Sequence, residues 1–230
     1  MMIAPTMNII NPFHTQCSAR IPDIYPDHVP RSPITSWLDA AHVLAFAGAN
    51  SDIAWHIENE LANGGEYASW RAHMPPVTPQ ILLDYQQLYP LSPARMAQAD
   101  NEVNTHGMMI PHGQILFHGG QWMGKKTVTK LSDPFATTFC PQVAMREAEH
   151  SGKAYKEGYI DLMVITVIDP QVKAFVFDMD EPEKGNELEV LFAAGATITV
   201  TSRTSMGHNY PVYGNPEKEI MTYLVEATLS

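Results

Sequence analysis

The chain is poor in cysteine. Cys17 and Cys140 are its two cysteines in 230 residues, too few for a disulfide framework or a zinc box, so stability has to come from packing. Basic residues are scarce too: 14 Lys and Arg stand against 25 Asp and Glu, a formal net charge of −11. Phosphate backbones need a basic face, which excludes DNA as a general partner. The same deficit argues against docking on an anionic membrane. No run approaches the roughly 18 apolar residues of a membrane span. The opening residues Met1-Met2-Ile3-Ala4-Pro5-Thr6 have neither the charged leader nor the apolar centre of a secretory signal. The expectation is a protein that is cytoplasmic as made, with delivery into a target cell by a dedicated machine left open. The motifs GxGxxG, GxxxxGK[ST], HExxH, GxSxG and CxxC are all missing, which removes the commonest nucleotide, zinc-protease, serine-hydrolase and dithiol sites.

What is present has the balance of a globule, with 45% hydrophobic and 17% charged residues. Six prolines in residues 1–35 (Pro5, Pro12, Pro22, Pro26, Pro30 and Pro33) deny helix and central strand, so an extended arm is expected there. Residues 36–104 read as a helical subdomain. Ser36-Trp37-Leu38-Asp39 forms a capping box ahead of a stripe of Leu38, Ala41 and Ala45. Ser51 can cap a helix carrying Ile53, Ile57 and Leu61, stopped by Gly64-Gly65. Thr78-Pro79 and Ser92-Pro93 each pair an N-cap with a first-turn proline, ahead of Ile81, Tyr85 and Leu88 and of Met96 and Ala99. Trp37, Trp55 and Trp70 read as helical core.

Residues 105–230 read as a β-rich core forming one compact unit with the helices. From Ile115 the period drops to two, with candidate strands at 115–118, 127–130, 135–139, 159–168, 172–177, 188–192, 196–201 and 220–227. Gln142–Tyr155 leaves room for one helix. Turns are expected at Asp169-Pro170, Gly195 and Gly214-Asn215-Pro216. Helices followed by strands predict an α+β fold with a mainly antiparallel, sandwich-like sheet.

Three features could carry chemistry. His106, His112 and His118 recur every six residues, but no carboxylate or cysteine accompanies them at ligand spacing, so no metal is expected. Phe117-His118-Gly119 ends an apolar strand in a polar residue followed by the glycine pair Gly119-Gly120, read as flexible. Phe135-Ala136-Thr137-Thr138-Phe139 sets two hydroxyls inside an apolar strand. Glu187-Leu188-Glu189 runs into Val190-Leu191-Phe192, and alternation along a strand would turn both carboxylates to one face, where they repel unless a cation uses them. The acidic run Asp178–Glu183 reads as a solvated loop.

In this order the residues resemble the mono-ADP-ribosyltransferases of bacterial toxins and effectors. That family's motifs are Arg-Gly, Ser-Thr-Ser and Gln/Glu-x-Glu before an apolar strand, and the resemblance spans about residues 113–201. His118 stands where the arginine is usual, as in the diphtheria-toxin-like branch and the poly-ADP-ribose polymerases. The hydroxyl strand aligns on Ala136-Thr137-Thr138 or on Thr137-Thr138-Phe139. The resemblance implies NAD as substrate, no metal, and ADP-ribose transfer to a protein acceptor. Glu189 would stabilise the ribosyl cation, oriented by Thr137 or Thr138. His118, Gly119 and those threonines would bind NAD, with the Gly119 backbone on the nicotinamide amide. Glu187 would handle the acceptor, an arginine side chain because the first motif position is Glu. The acidic loop would face the protein substrate. An NAD glycohydrolase and an inactive partner-binding relative are the alternatives.

Overall fold

The structure is a computed structural model describing residues 7–17, 33–47, 51–122, 127–207 and 220–230. Pro5, Pro22, Pro26, Pro30 and the Gly214-Asn215-Pro216 turn lie outside the described residues. Among the described residues five helices precede the first strand: α1 Trp37–Ala47, α2 Ile53–Asn63, α3 Gly65–Arg71, α4 Gln80–Leu88 and α5 Pro93–His106. Ser36 caps α1 through its Oγ, which accepts from Asp39 N at 3.1 Å, while Asp39 Oδ2 accepts from Thr35 N at 3.1 Å. The buried stripe of α1 is Trp37, Ala40, Ala41 and Leu44; Leu38, expected within it, faces outward. On α2 the expected stripe Ile53, Ile57 and Leu61 is buried. Trp55 is 68% exposed, not core, because it lies about 200° round the helix from Ile53. Gly64 does end α2, but the chain restarts as α3 at Gly65.

The described part of the arm packs against these helices. Ile10, Phe13 and Cys17 are buried, Gln114 holds both the N–H and the C=O of Ile10, and Cys17 pairs with Ile34.

All eight expected strands form: β1 Ile115–Gly120, β2 Val128–Lys130, β3 Phe135–Thr138, β4 Tyr159–Val167, β5 Ala174–Val176, β6 Glu189–Phe192, β7 Thr197–Ser205 and β8 Met221–Leu229. Their hydrogen-bonded order is β2-β7-β8-β4-β1-β3-β6-β5. Every pairing is antiparallel except β4 with β8, so the architecture is the α+β class that the sequence implied. The interval 142–155 holds two helices rather than one, α6 Pro141–Glu149 and α7 Lys153–Glu157, broken where Ser151 and Gly152 take left-handed backbone.

Gly119 is strand, not hinge. A β-carbon there would lie 1.6 Å from the Ala144 carbonyl oxygen of α6, so the helix can seat on β1 only because that side chain is absent. The ladder between β1 and β3 consists of the single pair Phe117↔Thr138. Beyond it the strands part, and the gap becomes the mouth of the cleft described next.

Candidate active site

A cleft of about 370 Å³ opens between β1 and β3, roofed by α4 and α6. It brings together all six residues singled out from sequence: His118, Gly119, Thr137, Thr138, Glu187 and Glu189. His118 spans the parting strands, with Nδ1 donating to the Ala136 carbonyl at 2.9 Å and its ring against Phe135 at 4.5 Å between centroids. Because that carbonyl only accepts, the proton sits on Nδ1, which leaves Nε2 an acceptor in the neutral ring. His106 instead meets Glu102 at 3.2 Å and His112 meets Asp169 at 3.1 Å. Among the described residues no group of three or more His, Cys, Asp and Glu is arranged to hold a metal ion.

The glutamates do not share a strand face as alternation suggested. Gly185–Glu187 is a turn of 3₁₀ helix, Leu188 is left-handed at φ 49° and ψ 41°, and β6 starts only at Glu189. The buried Leu188 side chain holds this backbone, which is disfavoured for a residue with a β-carbon. Both carboxylates still reach the cleft, through the twist at Leu188. Thr137 Oγ1 donates to the Val190 carbonyl and Thr138 Oγ1 to the Glu187 carbonyl, each at 2.7 Å. The hydroxyls therefore fasten the backbone that carries the glutamates and, among the described residues, form no hydrogen bond to the Glu189 carboxylate.

The contact to Glu189 comes from Gln86 of α4, whose Nε2 donates to Oε2 at 2.8 Å. Glu189 is 7% exposed. Burial pushes its carboxyl up to about 8, against the Gln86 hydrogen bond; the Glu187 and Glu147 charges push the same way as burial. Burial also raises the Glu187 carboxyl, opposed by Lys184, whose ammonium lies 2.5 Å from Oε1. Tyr85 beside them is pushed well above the usual phenol range by burial and then by the Glu189 charge.

Helices α3 and α4 set the loop that delivers these groups. Tyr67 donates its hydroxyl to Phe177 O and accepts from Met179 N, both at 2.9 Å, and Arg71 pairs with Asp178 at 3.2 Å. Thr78 donates to Glu181 and Gln87 to Glu183. The run Asp178–Glu183 is thus pinned at three acids, to α3, to α4 and to Thr78 in the loop between them, where a wholly solvated loop was expected. Sequence reasoning missed Gln86, Tyr89, Glu147 and Lys153, which also line the cleft. Their side chains are polar or amphipathic on helix flanks, a pattern that no local period distinguishes from ordinary surface.

No protein-family model matches the sequence, and no curated protein matches it. Solved structures do match in shape. The C3 exoenzyme of Clostridium limosum is 16% identical, with 75% of this chain covering 94% of that one at a TM-score of 0.50. BECa, an ADP-ribosylating toxin of C. perfringens solved with NADH, is 14% identical; 76% of this chain spans 48% of it, about half its length, at a TM-score of 0.46. The ADP-ribosyltransferase Vis of Vibrio splendidus, solved with agmatine, is 15% identical, with 66% of this chain covering 67% of it at a TM-score of 0.36. With its pinched eight-stranded sheet and the cleft at the pinch, this chain has the ADP-ribosyltransferase fold.

Proposed function

We propose that this protein cleaves NAD between nicotinamide and ribose and transfers the ADP-ribose to an arginine side chain of a protein acceptor. The observation that carries the reading is a nearly buried carboxylate, Glu189, beside a second one, Glu187, in a cleft that also holds His118 and the open edge of β1. Breaking the glycosidic bond sends its electron pair to the nicotinamide and leaves a cationic ribosyl centre. A fixed carboxylate beside that centre is the main requirement. Glu189 fills it. Burial holds its proton up to about pH 8, and the cationic nicotinamide ring of NAD would favour the ionised form on binding.

Glu187 then serves the acceptor. A guanidinium is planar and permanently charged, so it pairs with a carboxylate. It attacks only as a proton leaves: the bond from guanidine nitrogen to the anomeric carbon forms while the proton passes to Glu187. The β1 edge beyond Phe117 would meet the substrate's amide, and His118 lines the cleft beside it. The test is nicotinamide release from NAD by the purified protein, with label followed into protein. Glu189→Gln should slow release by about 10²–10³-fold. Release without labelled protein would make it a glycohydrolase with water as acceptor, and no release at all would leave a binding protein.

A further inference from the structure

The hydroxyl strand fastens the backbone on either side of Glu189, and a different residue meets the proposed catalytic carboxylate itself. We infer that Gln86 is the positioning residue for Glu189: its amide N–H fixes the carboxylate toward the cleft, and its carbonyl oxygen accepts a hydroxyl or amide N–H of the bound ligand. The inference rests on the reading of Glu189 given above. Among the described residues the bond from Gln86 Nε2, at 2.8 Å, is the sole hydrogen bond to the Glu189 carboxylate. It comes from a fixed platform, since α4 is seated by buried Leu82 and Tyr85, by the Arg95–Asp84 ion pair and by the Gln87–Glu183 bond.

The second observation is independent. Gln86 Oε1 is buried and, among the described residues, has no hydrogen-bond partner. A glutamine retained for stability would have both halves of its amide met, because an orphaned buried acceptor is unfavourable. An amide that spends its donor on the reactive carboxylate and leaves its acceptor open, at a cleft lined by that carboxylate, is arranged for a ligand. The other groups bearing on Glu189 are Glu187 and Lys184 from the β5–β6 loop, Glu147 from α6 and Tyr85 from α4. Lys184 is the one cation among them, and its ammonium is bonded to Glu187. Gln86 is therefore the neutral donor that favours the ionised carboxylate there.

The test compares Gln86→Met, which removes donor and acceptor, with Gln86→Glu, which keeps the acceptor and adds a like charge. With carbon-13-labelled glutamate, NMR follows the Glu189 carboxyl, its signal assigned by loss in Glu189→Gln. The titration midpoint should rise by about one pH unit in Gln86→Met and further in Gln86→Glu. The pH profile of kcat/KM for nicotinamide release should move in the same order, and kcat on the plateau should fall about 10–100-fold in the Met variant. Melting temperatures at pH 6 should stay close to wild type. Midpoints and profiles that superimpose on wild type would overturn the assignment, as would a fall in kcat accounted for by loss of folded protein. If the wild type releases no nicotinamide at any pH, the proposed function fails, and the NMR titration still decides whether Gln86 governs Glu189.

Discussion

Replacing Glu189 by glutamine should disable the protein and stabilise it at the same time, in a way that depends on pH. The folded carboxyl holds its proton to about 8, against 4.5 in an unfolded chain. Between those values the folded state keeps a proton that the unfolded state has released. Stability is then complete below 4.5 and declines with rising pH, by up to about 1.4 kcal/mol per pH unit. Once Glu189 is fully ionised the loss is on the order of 4–5 kcal/mol. A glutamine is neutral throughout and still offers an oxygen to Gln86 Nε2, so it escapes this penalty. Urea denaturation followed by circular dichroism at pH 5, 7 and 9 reads the difference directly. The variant should match wild type within about 1 kcal/mol at pH 5 and exceed it by about 4 kcal/mol at pH 9. A stability gap that does not change with pH would refute the argument that burial holds this carboxyl neutral.

His118→Ala should raise the Michaelis constant for NAD more than it lowers turnover, since the ring bridges β1 and β3 at the cleft mouth; an unchanged constant with collapsed turnover would contradict this. Glu187→Gln should abolish transfer to protein or to a small guanidine while sparing NAD hydrolysis, and mass spectrometry locating the adduct on a residue other than arginine would refute the acceptor assignment. Gly119→Ala should lower the yield or melting temperature sharply, because overpacking a rigid contact costs about 1–3 kcal/mol or more and the added carbon meets the backbone of α6; a variant as stable as wild type would show that α6 can shift.

Much of this fold was legible because its signals are local. The strands show the apolar runs and alternation of a sheet packed against helices, and α2 shows its buried stripe at four-residue spacing. Trp55 was misread as core, although its angular distance from Ile53 follows from the same spacing and turns it outward. On α1 the small Ala40 and Ala41 gave too little contrast against Leu38 to fix the buried face. The hidden parts of the site depend on single backbone turns or on distant partners. Leu188 carries no mark of its left-handed conformation, which glycine or asparagine would have advertised, so the two glutamates read as strand neighbours. Gln86 meets Glu189 across 103 residues of chain, and no periodicity reports such a pairing. Thr137 and Thr138 were found as residues but not in their detail, because a sequence cannot tell a hydroxyl bonded to backbone from one aimed at a carboxylate.

The position of β8 has a bearing on assembly. It is the last of the eight strands in chain order, yet it sits inside the sheet between β7 and β4. Until residues 221–229 have been made, β2 and β7 have no hydrogen-bonded route to the five strands that carry the cleft, and the nine residues of β4 present a bare edge. A nascent chain halted before β8 would therefore be two unjoined fragments of sheet with a long apolar border, a species suited to chaperone capture or aggregation. Completion of the sheet waits on a non-local parallel pairing, the slow kind of contact to form.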